Sequence, residues 1–182
     1  QVWLSNRSEG KLASFRERGV HTTTDNRRVA EQASVIVLGI KPQMFGDVLP
    51  GLGGVTAGRC VVSIAAGVST AYLREMLPGA HVVRAMPNTP LMVGKGVSAM
   101  CRGRLVREEE RAFAERIFSC AGTVLWCDES LLNPITALTS SSVAYFAQLI
   151  AHMCAWAEKN GFDAFDASAV TKWVCDTAAG TA

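Results

Sequence analysis

The sequence predicts a doubly wound α/β domain built on a parallel sheet, followed by an all-α domain. Three observations carry that prediction. Short, nearly continuous apolar runs, Ser34 to Ile40 and Arg59 to Ala65, have the character of central parallel strands buried on both faces. They alternate with amphipathic segments of helical period, the pattern of strand–helix–strand units. From Glu129 onward only helical periodicity remains. A boundary near Cys127 to Glu129 gives domains of residues 1–127 and 128–182, with no flexible linker, internal repeat or low-complexity tract.

The elements follow in order. Gln1 to Leu4 reads as a strand, and Ser8 to Arg18 as a helix with Leu12 and Phe15 inward and Gly19 as its stop. Val20 to Thr23 reads as a short strand, and Asp25 or Asn26 as the cap of a helix through Ala33. The Ser34 strand ends at Lys41-Pro42-Gln43. The Arg59 strand ends at Ala66-Gly67, and Ser69 or Thr70 caps a helix to Leu77. Gly96 to Met100 is a strand, Glu108 to Cys120 a helix and Thr123 to Trp126 a strand. Helices then span Leu131 to Leu138 and Ser142 to Asn160, with a third starting near Asp166. On the long helix, Val143, Phe146, Ala147, Ile150, Met153, Cys154 and Ala157 form one apolar stripe. Leu149 and Trp156 mark a second, as expected of a core or interface helix.

Composition narrows the function. A chain of 182 residues, 49% hydrophobic and 19% charged, can bury a real core. A net charge of +2, without a dense basic run, argues against a nucleic-acid binder. The six cysteines form no Cys-x-x-Cys pair and the three histidines are scattered, so no metal site is expected. Reduced cysteines in a cytoplasmic protein are the expectation. No stretch has the length and apolarity of a membrane span; Val143 to Ala157 comes closest and is interrupted by Gln148 and His152. The first residues already read as the inside of a domain, with no targeting segment.

The stretch His81 to Pro90 concentrates the chemistry. Val82 and Val83 begin a buried strand, whereas Pro87 and Pro90 remove backbone donors and restrict Met86 and Thr89 to extended geometry. The expectation is a strand that gives way to a stiff loop carrying Asn88 and Thr89, at the strand ends where open α/β sheets bind ligands. At the end of the first strand stands Ser5-Asn6-Arg7-Ser8. In a dinucleotide fold, an acid near there would accept from a free ribose 2′-hydroxyl. An arginine among hydroxyls and an amide suits a 2′-phosphate instead.

Together these residues resemble the pyrroline-5-carboxylate reductase family. Its signature Val-Val-Arg-Ala-Met-Pro-Asn-Thr-Pro stands unaltered as Val82 to Pro90. Ser63-Ile64-Ala65-Ala66-Gly67-Val68 matches the preceding loop, and Gly39-Ile40-Lys41-Pro42-Gln43 matches apart from Gly39. The resemblance implies a Rossmann-like first domain and an oxidoreductase of proline biosynthesis. It further implies that Ser5, Asn6, Arg7, Asn26, Ile40, Lys41, Pro42, Ala65, Ala66 and Gly67 line NADPH (or NADH), with Met86 and Pro87 near its nicotinamide end. Asn88, Thr89, Glu129 and Ser141 become substrate-proximal candidates, and self-association through the helical domain is implied as well.

Departures from the family define the rival reading. The family's glycine-rich phosphate loop lies ahead of the matched region, and its Ser-Pro-Gly-Gly-Thr-Thr-like loop beyond it. Residues 1–182 alone are therefore expected not to turn over. The family's Ser-Gly-Ser-Gly-Pro-Ala-Tyr reads Thr139-Ser140-Ser141-Ser142-Val143-Ala144-Tyr145 here, without either glycine or the proline. The rival is a degenerate, non-catalytic paralogue that binds or oligomerises. Another Rossmann reductase is disfavoured by the Met86 to Pro90 signature.

Overall fold

Alternating side chains along β3 to β6 divide the core into layers. The computed structural model describes residues 1–181 and, among them, every side chain except those of residues 164, 165 and 181. Residue 182, the end of the expected helical domain, lies outside the described residues. The strands are β1 (Trp3–Ser5), β2 (His21–Thr23), β3 (Val35–Leu38), β4 (Cys60–Ser63), β5 (His81–Pro87), β6 (Gly96–Arg102) and β7 (Gly122–Trp126). The helices are α1 (Ala13–Glu17), α2 (Asn26–Gln32), α3 (Phe45–Val48), α4 (Thr70–Met76), α5 (Glu108–Ser119), α6 (Leu132–Thr136), α7 (Ser142–Lys159) and α8 (Ala164–Thr181).

Strands β3 to β7 form one sheet in that order, and β1 and β2 pair parallel in a second. One face of the larger sheet sends Ile36, Leu38, Val61 and Val82 against Phe45, Leu49, Leu73 and Leu77. The other sends Cys60, Val62, Val83 and Met100 against Ala114 and Phe118 of α5. Helices therefore cover both faces, as the doubly wound expectation requires. The pairings β3–β4, β4–β5 and β6–β7 are parallel, but β6 runs antiparallel to β5. The connection from Asn88 to Lys95 is short enough for that reversal.

Three local expectations are corrected. The segment Ser8 to Arg18 is a 3₁₀ turn, Glu9–Lys11, followed by α1; Leu12 is buried, but Phe15 is 42% exposed. β3 is buried on one face only, since Val37 is 45% exposed on what is an edge strand of its sheet. β5 does not stop before its prolines but runs through Pro87, for the reason given below.

Contacts divide the chain into two units, Gln1–Thr136 and Ala137–Ala182. Leu132 of α6 is fully buried beside Ala99 and Cys101 of β6, which ties α6 to the first unit. The second unit begins with a π-helical turn, Ala137–Ser141, in place of the predicted interruption, and α7 follows directly. Its helices α7 and α8 meet across small residues: Ala157, Ala167 and Thr171 are buried, and Cys154 Sγ lies 3.4 Å from Thr171 Oγ1. Their remaining surface exposes Tyr145, Phe146, Leu149, Trp156 and Trp173. No helix among the described residues is long and apolar enough to cross a membrane.

Candidate active site

The strand register sets the geometry of the candidate site. Leu38, Ser63 and Arg84 lie side by side on β3, β4 and β5. β3 and β4 end there, so the segments beginning at Gly39 and Ile64 leave the same edge of the sheet. β5 continues for three more residues, Ala85, Met86 and Pro87, paired only with β6. No β4 residue stands opposite Pro87, so its missing N–H interrupts no ladder on that side. The proline is tolerated where a central position would exclude it.

At the end of β3, Ile40 is half-buried, Lys41 is exposed and Pro42 opens a 3₁₀ turn. At the end of β4, Ala65 is buried while Ala66 and Gly67 are exposed. Gly67 has φ +75°, a backbone conformation that glycine adopts freely, and open space where a side chain would stand. The following helix is capped as predicted: Ser69 Oγ accepts from the Tyr72 amide at 3.2 Å. Ser5 Oγ, at the end of β1 in the smaller sheet, donates to Asn26 Oδ1 at 2.7 Å, joining that strand end to the start of α2. The Asn6 side chain accepts from the Ser8 amide at 3.0 Å. Arg7 is exposed and makes no ion pair among the described residues. Asp25, one of the two predicted caps, accepts from the Arg27 amide at 2.8 Å.

Met86 and Pro87 are half-buried and Thr89 is exposed. Asn88 is 8% exposed and grips β6 at two points: its amide donates to Val97 O at 3.2 Å, and its Oδ1 accepts from the Val97 amide at 2.8 Å. That side chain thus prolongs the strand pairing by one residue. Ser141 belongs to the second unit and is exposed.

Glu129 is tied down on all sides. Its Oε1 accepts from the Thr70 amide at 2.8 Å and from Arg84 Nη1 at 3.1 Å, and its Oε2 accepts from Thr70 Oγ1 at 2.5 Å. Burial pushes this carboxyl upward, but the Thr70 hydrogen bonds and the Arg84 guanidinium outweigh it and hold it below the ordinary carboxylate range. Arg84 is 6% exposed, and its Nε is buried without a partner among the described residues. From the sequence, Thr70 reads only as a candidate helix cap and Arg84 only as part of the signature, neither as a site residue. The available signal was an arginine inside the apolar run Val82 to Met86, since a buried cation calls for a counter-ion. Glu129 and Thr70 line a cleft of about 920 Å³ with Cys101, Trp126, Cys127 and Ile135. Burial raises the Cys101 thiol to about 11 and shifts Cys127 the same way, so neither is poised as a nucleophile.

A second polar cluster lies at the opposite end of β5. His81 Nδ1 sits 2.9 Å from both Glu110 oxygens, and Arg107 Nη2 donates to Glu110 Oε1 at 2.7 Å. An adjoining cleft of about 520 Å³ is lined by Arg59, Arg107 and Phe113. It stands at the amino ends of the strands, away from the segments that follow β3, β4 and β5.

Comparison with known proteins gives these segments a family. Residues 1–67 match a family model described as NADP oxidoreductase, coenzyme F420-dependent. Residues 129–182 match one described as pyrroline-5-carboxylate reductase dimerisation. A solved pyrroline-5-carboxylate reductase from Coxiella burnetii is 34% identical, with a TM-score of 0.90 over 97% of this chain and 67% of that one. The chain belongs to the pyrroline-5-carboxylate reductase family. Other members of the family agree. The enzyme from Corynebacterium melassecola is 40% identical over 150 residues, 79% of this chain and 56% of that protein. The one from Vibrio alginolyticus is 39% identical, over 84% of this chain and 57% of that protein. The chain thus spans just over half the length of the curated relatives it matches. A Plasmodium falciparum pyrroline carboxylate reductase, solved with NADP bound, shares the fold at 22% identity, with a TM-score of 0.86 over 98% of this chain and 66% of that one.

Proposed function

We propose that this protein serves the reduction of 1-pyrroline-5-carboxylate to L-proline by hydride transfer from NADPH, in the cytoplasm and as a self-associated enzyme. The observation that carries the reading is the stepped sheet edge. The unaltered signature Val82 to Pro90 forms most of β5, which outruns its parallel neighbour β4, and the turn that follows it, so Met86 to Thr89 lie beyond the edge from which the Gly39 and Ile64 segments depart. That edge is where open α/β sheets hold nucleotides.

The residues there suit a dinucleotide. Exposed Ala66 and Gly67 allow close approach to the backbone, and Ile40 to Pro42 offer a short apolar rim beside a cation. Arg7, unpaired among the described residues and flanked by Ser5, Asn6 and Asn26, provides a forked donor for a 2′-phosphate, which favours NADPH over NADH. When bound, the reduced nicotinamide would supply a hydride to the imine carbon of the ring, whose nitrogen is already protonated. The protein's own part is to orient that ring beside Met86 and Pro87 and to exclude water, with Asn88, Thr89 and Glu129 as the polar residues on the substrate side.

Self-association fits the second unit, where Tyr145, Phe146, Trp156 and Trp173 are each more than 60% exposed. Unpaired aromatic surface of that kind marks an interface. The cytoplasmic assignment rests on six free thiols, as a reducing compartment maintains them. The test is a nucleotide titration. Arg7→Ala is expected to weaken NADPH by about 1.5–3 kcal/mol, the range for hydrogen bonds to charged groups, and to leave NADH nearly unchanged. Equal losses for both nucleotides would remove the assigned role of Arg7.

A further inference from the structure

Three elements converge on one carboxylate. Helix α4 begins directly after the Ala65 to Gly67 loop, and its first residue, Thr70, gives Glu129 both its amide and its hydroxyl hydrogen. Strand β5 gives Arg84 Nη1, two residues before Met86. Glu129 itself opens the 3₁₀ turn Glu129–Leu131 that leads into α6. Each of its oxygens already accepts a hydrogen bond, and Oε1 accepts two. Arg84 is a nearly buried cation for which Glu129 is the only ion-pair partner among the described residues.

A carboxylate so engaged is badly placed for proton transfer, since three hydrogen bonds, one of them from a guanidinium, hold its ionised form. It is well placed to fix distances. The first amides of a helix have no partner within the helix, so an acceptor there decides where the helix start is anchored. Here the anchor is shared with the strand that carries the Met86 to Thr89 loop. We infer that Glu129 is a positioning residue, a clamp that sets the spacing between the Ala65 to Gly67 loop and the Met86 to Thr89 loop by holding Thr70 and Arg84 at once. The inference rests on the reading of the first loop as lining the cofactor and the second as lying at its nicotinamide end. Hydride transfer is sensitive to such spacing, because reacting atoms must be held near contact distance.

The test combines hydrogen exchange with NADPH titration on the whole protein. Glu129→Ala and the milder Thr70→Val are both expected to speed amide exchange across residues 66–71 by about ten-fold or more, the factor carried by one hydrogen bond to a charged group. Thr70→Ser, which keeps the hydroxyl, should restore slow exchange. NADPH affinity should fall by a similar factor in Glu129→Ala and Thr70→Val, and the double variant should lose little more than either, as expected of residues acting through one contact. Glu129→Gln removes the charge but keeps one acceptor oxygen, so it should speed exchange across residues 66–71 less than Glu129→Ala does. Unchanged exchange at 66–71 in both Glu129→Ala and Thr70→Val, with native circular dichroism, would overturn the clamp, and so would fully additive losses. If the exchange pattern appears while the unsubstituted protein binds no NADPH, the clamp stands and the nicotinamide reading falls.

Discussion

Arg84 sits in a strand where every other position from Val82 to Ala85 is apolar and buried, so its charge would be costly without Glu129. The half-exposed carboxylate can reach it only because the chain returns from 45 residues away. Neither that distance nor the Thr70 contact 59 residues away is written in any local pattern. Local chemistry was legible: Asp25 and Ser69 could be read as helix caps because a cap acts on an amide within three residues. Pairings between distant charges are decided by the tertiary fold. The electrostatics of Glu129 and Glu110 carry a prediction at this scale. Burial pushes the Glu110 carboxyl up, and hydrogen bonds from Arg107 and His81 bring it below its ordinary value, as Thr70 and Arg84 do for Glu129. A carboxyl depressed in the folded state contributes stability that is complete above its unfolded pKa and is lost as pH falls through the folded one. Melting temperature should therefore drop through and below the ordinary carboxylate range. Glu110→Gln and Glu129→Gln should each flatten that acid limb in thermal melts, and an unchanged slope in both would contradict the assignment.

At the scale of elements, β5 is where the sequence reading and the structure part. Two prolines within four residues argued for an early end to the strand, yet β5 continues through Pro87. A proline's cost depends on whether a neighbouring strand needs its N–H, and that neighbour, β4, has already stopped. The same limit explains β3, whose apolar run resembles a central strand although Val37 faces solvent. Burial on two faces depends on what packs outside, which a strand's own sequence does not state. The extension of β5 leans on Asn88, whose side chain satisfies the Val97 amide. Asn88→Ala should leave that partly buried donor unpaired and destabilise the fold by about 1–3 kcal/mol. Urea denaturation measures this directly, and a loss within error of zero would mean that solvent replaces the side chain freely.

Across the whole molecule, the change from mixed to purely helical structure was legible because the short apolar strand runs cease after Trp126 and only helical spacing remains. The second unit's exposed aromatics were foreshadowed by the two stripes of α7, more than one neighbouring helix can cover. Trp156 is 66% exposed and Ile150 38%. Trp156→Asp would place a charge in the proposed contact between copies and should shift the protein to monomer, measured by light scattering across a dilution series. A monodisperse monomer before substitution would remove the interface.

The reversal between β5 and β6 has a further consequence, in the order of folding. Parallel neighbours such as β3, β4 and β5 can pair only after the chain has crossed over through an intervening helix, which delays their contacts. β5 and β6 need only close the short segment from Asn88 to Lys95, and hairpins of that kind form within microseconds when isolated. The loop assigned to the nicotinamide therefore lies at the tip of the most sequence-local strand pair in the sheet. It can take shape ahead of the walls around it, and α4, Arg84 and Glu129 would then assemble onto a loop already folded.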